Sequence, residues 1–178
     1  MGGERAQLAG FLARFDPPVA RLARAVLSRL RARMPSANQL VYDNYNALAI
    51  GFCPTDRAYD SIFSVAVFAR GVNLFFFNGP NLPDPQRLLK GGGNMVRHIR
   101  VDRLGLLDEP AVHELMELAI KEADPPLAAS GRGRVIIKSV SKKRRSRKSP
   151  VTSRQSQVTS RKSQVASRKS NVARSRSL

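Results

Sequence analysis

The chain of 178 residues has one cysteine, Cys53, no tryptophan, and two histidines, His98 and His113. A single cysteine excludes a disulfide framework within the chain and leaves a cysteine-built zinc site without ligands, which fits a reducing, cytoplasmic setting. Long hydrophobic runs are missing as well. The longest largely apolar stretch, Ile62–Phe68, falls far short of the roughly 20 residues that span a bilayer, and Met1–Ala9 holds no apolar core of a secretory signal. The expectation is a soluble, cytoplasmic protein with no membrane partner. The most telling absence is of acid. From Gly131 to Leu178 there is no Asp or Glu, against 16 of the chain's 31 Lys and Arg, which leaves 15 basic and all 13 acidic residues, a net of +2, for the first 130. The formal charge of +18 therefore belongs to the C-terminal part and not to the fold.

What is present in those first 130 residues reads as one α+β domain. Asp16-Pro17 is a helix start, because Asp caps free N–H groups and proline is preset for the first turn. Val19, Leu22, Val26, Leu27 and Leu30 follow at helical spacing, and Pro35 closes the helix by pushing Met34 out of helical geometry. A shorter helix around Ala6–Phe15 precedes it. Gln39–Tyr42, Ala47–Phe52, Ile62–Ala69 and Val72–Phe77 are rich in β-branched and aromatic residues and read as strands, with Arg70-Gly71 as a tight turn between the last two. Both of those runs are apolar on both faces, which places this hairpin centrally in the sheet. Asn78–Asn94 is loop-rich, with one helical turn expected at Pro85–Leu89, and Met95–Val101 is a fifth strand. A last helix starts at Asp108 or Glu109. Val112, Leu115, Met116, Ala119, Ile120 and Ala123 form its buried stripe, and Glu117 and Lys121 an external i,i+4 pair. Short turns between neighbours make the sheet mainly antiparallel, with helices packed on one face.

From Ser146 the chain repeats every seven residues, beginning Ser-Arg-Lys-Ser-Pro-Val-Thr and running through four copies to Ala173. Each copy has one large apolar residue (Val151, Val158, Val165, Val172), whereas a coiled coil needs two seam positions; serine and β-branched residues also disfavour helix. The expected organisation is a domain over 1–130, a basic extension over 131–145 and a disordered basic tail over 146–178. Cations on an unfolded chain track phosphates and release counterions. Lys142, Lys143, Arg144, Arg145, Arg147 and Lys148 form the densest cluster, and Arg154, Arg161, Lys162, Arg168 and Lys169 continue it through the repeats. No aromatic residue in this tail can stack on bases, so the expected binding to nucleic acid, or to another polyanion, is non-specific, with nucleoid association as its cellular form. The bland alternative is a neutral expansion of a short segment. A lipid surface is a third use of such charge, for which the tail has no apolar anchor. Serines beside the arginines would let phosphorylation cancel the charge.

No catalytic set is evident. Neither histidine has a sequence partner that suggests a nucleophile–base pair, and Cys53 has little beside it to lower its pKa, so no enzyme activity is expected. Two polar clusters are ligand candidates. Tyr42, Asp43, Asn44 and Tyr45, between two strands, form either a plain hairpin turn or a donor and acceptor set at a pocket mouth. Lys90, three glycines and Asn94, followed by Arg97 and His98, form either a flexible connector or an anion cradle of glycine N–H groups beside cations, though the Walker spacing is absent. The acids of the last helix (Glu109, Glu114, Glu117, Glu122) read as a solvated face, able at most to hold a hard cation weakly. Arg21, Arg24, Arg29, Arg31 and Arg33 find no acid on their own helix and read as solvated or as an extension of the basic footprint.

Three stretches carry a resemblance: LVYDNYNALAIGF, LFFFNGPNLPDPQRLLKGGGNMVRHIRV and LDEPAVHELMELAIKEADPPL. They resemble the YdhG-like bacterial domain family over about Leu22 to Arg145, the LPDP-to-RH segment most specifically, and the GRGRVIIKSVSKKRR stretch is similar to an extension in some relatives. The resemblance implies a frataxin-like architecture of helices on an antiparallel sheet. Some members are regarded as frataxin-like iron chaperones, so an iron-binding or iron-donor role with an incidental tail is the alternative function. Many relatives have a Trp-Gly-Met-Pro segment after the first strand; this chain has Tyr42-Asp43-Asn44-Tyr45 there, and no metal motif maps onto it. The leading expectation is a non-enzymatic binding domain of unknown ligand whose basic tail holds nucleic acid.

Overall fold

The computed structural model describes residues 2–143 and 146–148. The apolar spacing after Asp16 forms the long helix α2, Pro17–Arg33, preceded by α1, Gly3–Leu12. α2 buries Ala20, Ala23, Val26, Leu27 and Leu30 along one stripe. Five strands follow in the expected places: β1 Asn38–Asp43, β2 Leu48–Cys53, β3 Phe63–Phe68, β4 Gly71–Phe77 and β5 Val96–Val101. The helix α3, Pro110–Lys121, buries Val112, Leu115, Met116 and Ala119, with Ile120 and Ala123 packed half-buried against the same core. Gly71 has φ of +152°, a conformation that favours glycine, and it carries the chain from the β3–β4 turn into β4.

A sixth strand, β6, Val135–Val140, lies in the stretch read from sequence as a basic extension. The sheet order is β5-β4-β3-β2-β1-β6; every pair is antiparallel except β1 with β6, which is parallel. A bulge at Lys138 shifts the β6 register between Val41 and Tyr42. The compact unit accordingly runs to Arg147, past the boundary at residue 130 drawn from composition. The β3–β4 hairpin, expected at the centre, lies inside the sheet but with β4 next to the β5 edge; the central pair is β3 and β2.

Two local expectations change. The short helical turn forms at Gly79–Asn81 and not at Pro85–Leu89, where the Asp84 carboxylate instead accepts the N–H groups of Leu88 at 2.9 Å and Leu89 at 2.7 Å. Glu117 faces Arg33 of α2 at 3.6 Å and His113 at 3.9 Å, the first of these a partner from another helix that sequence spacing could not show.

The main core cluster uses the helix side of the sheet; on the opposite side Leu40 and Cys53 are fully buried as well. Val41, Leu48, Ile50, Phe52, Phe63, Val65, Leu74, Phe76, Ile99 and Val135 join the helices in the main cluster, and the ring of Phe63 meets Phe76 edge-on at 5.1 Å. The alternate positions, including Tyr42, Phe68, Phe75, Phe77 and Ile136, lie outside that cluster and stay half-buried. Strand alternation sends them to the opposite face.

Candidate nucleic-acid interface

Strand register places the opposite face residue by residue. One cross-strand row runs His98, Phe75, Ser64, Gly51, Leu40, Ile136. The next runs Arg100, Asn73, Ala66, Ala49, Tyr42, Ser139. Lys90 bridges His98 in antiparallel fashion and extends the first row past the sheet edge, its N–H donating to the His98 carbonyl at 2.8 Å. The rings of Phe75 and His98 sit 5.1 Å apart, tilted by 34°. Arg100 lies across Gly71 and donates from Nη2 to the Arg70 carbonyl at 3.1 Å. At the other end of the face Tyr42 stands on β1, with Cys53 on the neighbouring strand. Burial, and secondarily Cys53, raises the Tyr42 phenol above its ordinary pKa. No strand position on this face is Asp or Glu.

The expected ligand residues divide between different places. Tyr42 and His98 share the outer face but sit on strands four steps apart in the sheet. Asn44 and Tyr45 are exposed in the β1–β2 turn. Asp43 turns inward to the helix side, where its carboxylate meets Arg14 at 3.0 Å and Arg147 at 2.9 Å. Arg97 follows Asp43 to the helix side of the sheet. It packs beside Gly79 and donates to the Val96 carbonyl at 3.1 Å. Lys90 donates to the Arg87 carbonyl at 2.6 Å, and Asn94 lines a separate cleft of 410 Å³ with Tyr59, Asp60, Asn78, Glu122 and Asp124. The glycine cradle and the tyrosine turn therefore do not form one site.

The basic residues divide too. Lys142 and Lys143 are exposed. Arg147, expected among the tail cations, is instead 6% exposed, with its guanidinium on Asp43 and 5.2 Å from the Phe15 ring. Arg144, Arg145, Arg154, Arg161, Lys162, Arg168 and Lys169 lie outside the described residues. On α2, Arg29 pairs with Asp108, and Arg33 with Glu117 and Asp108, so two arginines that find no acid on their own helix are met by the segment around α3. That removes them from any basic footprint.

Cys53 is fully buried, with Sγ 2.9 Å from the Ser61 hydroxyl; burial pushes the thiol up and the Ser61 hydrogen bond opposes it. Asp60 accepts from Thr55 and Arg57, and the Thr55 hydroxyl first of all holds its carboxyl below the usual range. Among the described residues no three His, Cys, Asp or Glu side chains gather as a metal site, and no helix is long and apolar enough to cross a membrane.

Sequence reasoning missed Phe68, Phe75, Phe77, Arg100 and Lys138 as surface residues. The signal was there in part: Asn73, Phe75 and Phe77 alternate with Val72, Leu74 and Phe76. Which of two apolar sets meets the helices is not written in the alternation. Compared with family models, curated proteins and solved structures, the chain matches none.

Proposed function

We propose that this is a non-enzymatic nucleic-acid-binding protein: a YdhG-like, frataxin-like α+β domain whose basic C-terminal segment holds polyanions without sequence preference. The observation that carries the reading is charge segregation. All 13 acids lie before Gly131, and two of the α2 arginines are neutralised within the fold. The 16 cations from Gly131 onward have no acid beside them in sequence; among the described residues Arg147 meets Asp43 inside the fold. Phosphates are natural counterions for such a run, and their contacts carry no base information. The location that follows is the cytoplasm, on the nucleoid.

The test uses the full chain with Arg154, Arg161, Lys162, Arg168 and Lys169 changed together to Gln. Binding to a duplex of arbitrary sequence is measured across salt concentrations. Each phosphate contact contributes roughly 0.9 to the slope of log affinity against log salt. The slope of the variant should be lower by up to about 4.5. An unchanged slope and affinity would remove the tail from the reading.

A further inference from the structure

We propose that the β3–β5 part of the sheet face opposite the helices is a binding surface for single-stranded nucleic acid, with Phe75 and His98 as a stacking platform and Lys90 and Arg100 as phosphate contacts. The proposal rests on the nucleic-acid reading above for its ligand class, but it is carried by different residues.

Three observations converge on it. The first is the aromatic content of a face outside the core. A sheet face turned to water ordinarily alternates to polar residues. This one instead carries Tyr42, Phe68 and Phe75, half-buried and outside the core cluster. Apolar surface kept in water at this density marks a place where something binds. The second is relief. Beside the Phe75–His98 pair, whose rings are 5.1 Å apart, β3 presents the small side chains of Ser64 and Ala66. Farther along the row the face is closed: Gly51 is buried with the Ser61 side chain against it, and Leu40 is fully buried.

The third observation is charge. Lys90 and Arg100 flank the ring pair, and no strand position of the face is acidic. An apolar protein helix would give no reason for these cations. A polyanion with flat unsaturated groups satisfies both requirements. Unpaired bases expose their π-faces to aromatic side chains, whereas in a duplex those faces are stacked on one another. The face therefore supplies the stacking that the tail lacks.

The chain has no tryptophan, so Phe75→Trp in the full-length protein places a single reporter on the platform while keeping a ring there. Its fluorescence should be quenched by a short oligothymidylate, and much less by inorganic polyphosphate or by a duplex of equal charge. A second chain, Phe75→Leu with His98→Gln, removes both rings and keeps apolar volume on β4. Its affinity for the oligothymidylate should fall about 10-fold or more, with duplex affinity held at the wild-type value by the tail. Wild-type single-strand affinity in that double variant would overturn the proposal. Quenching of the Phe75→Trp chain that is the same with polyphosphate would overturn it as well, as would a spectral change with protein concentration alone, the mark of a second copy on the face. If the double variant melts below wild type, the quenching comparison decides. The tail reading fails separately, through the salt slope of the five-fold Gln variant.

Discussion

Asp43 illustrates how a residue's role is decided by its neighbours. In sequence it is a turn acid; in the fold it is 2% exposed between Arg14 and Arg147, two arginines from opposite ends of the compact unit. Removing one partner of a buried pair leaves the other charge desolvated, which costs about 3 kcal/mol or more. Asp43→Ala should therefore lower the stability to urea by about 3 kcal/mol. Arg147→Met should lower it less, because its apolar stem can still cover Phe15. Equal and negligible effects of both would show that the pair does not hold the end of the fold. Cys53 gives a pH prediction. Its thiol titrates higher in the folded state than in the unfolded chain, so burying it neutral is favourable below the ordinary thiol range and this contribution is lost as pH climbs through the folded value. Comparing wild type with Cys53→Ala in urea, the stability gap should be constant up to about pH 8.5 and shift against wild type above it. A gap that stays flat to pH 10.5 would count against a buried neutral thiol.

At the scale of the element, β6 is the feature with the most consequence. It covers the β1 edge, which would otherwise present unpaired N–H and C=O groups. Gln39 receives its backbone bond from the segment, N–H to Arg134 carbonyl at 2.7 Å, and Val135 is buried beside it. Gly133 enters the strand so close to the preceding turn that an added Cβ would lie 1.7 Å from the Ala37 carbonyl oxygen. Gly133→Ala must displace backbone, and a loss of about 2 kcal/mol is expected in thermal or urea melts. Ending the chain at residue 130 should destabilise it further and promote association through the bare β1 edge, whereas ending it after Lys148 should leave the melt unchanged. Light scattering and calorimetry on the two truncations would separate these outcomes. The pair between α2 and the segment before α3 is a weaker device: Arg29 and Asp108 are both substantially exposed, and exposed pairs contribute little, so their charges matter more for cancelling the basic surface of α2 than for stability.

For the whole molecule, the six-stranded sheet separates two tasks. The helix side holds the core and, through Asp43 and Arg147, the end of the compact unit. The other side carries rows of aromatic, small and cationic residues outside that core. If both proposals hold, the two modes of binding should respond differently to conditions. Tail contacts are electrostatic and fade steeply with salt, while stacking is far less salt-sensitive. The preference of the full chain for single strands over duplex should therefore grow as salt rises, a trend that one titration series measures directly. A preference that shrinks with salt would place both kinds of binding on the cations alone.

The sequence by itself determined the α+β class, the positions of α2, α3 and five strands, and the segregation of charge at Gly131. These follow from local rules: apolar spacing, β-branched runs, prolines and counted charges act over a few residues and survive without knowledge of partners. It also carried β6 in the run VIIKSV, which the surrounding arginines and lysines disguised as an extension. Only the tertiary structure decided which apolar face of β4 meets the helices, that Asp43 and Arg147 close on each other across more than a hundred residues, and that the arginines of α2 find acids beside α3. Those outcomes depend on which surfaces are brought together once loops close, and alternation within a strand is the same whichever side is buried.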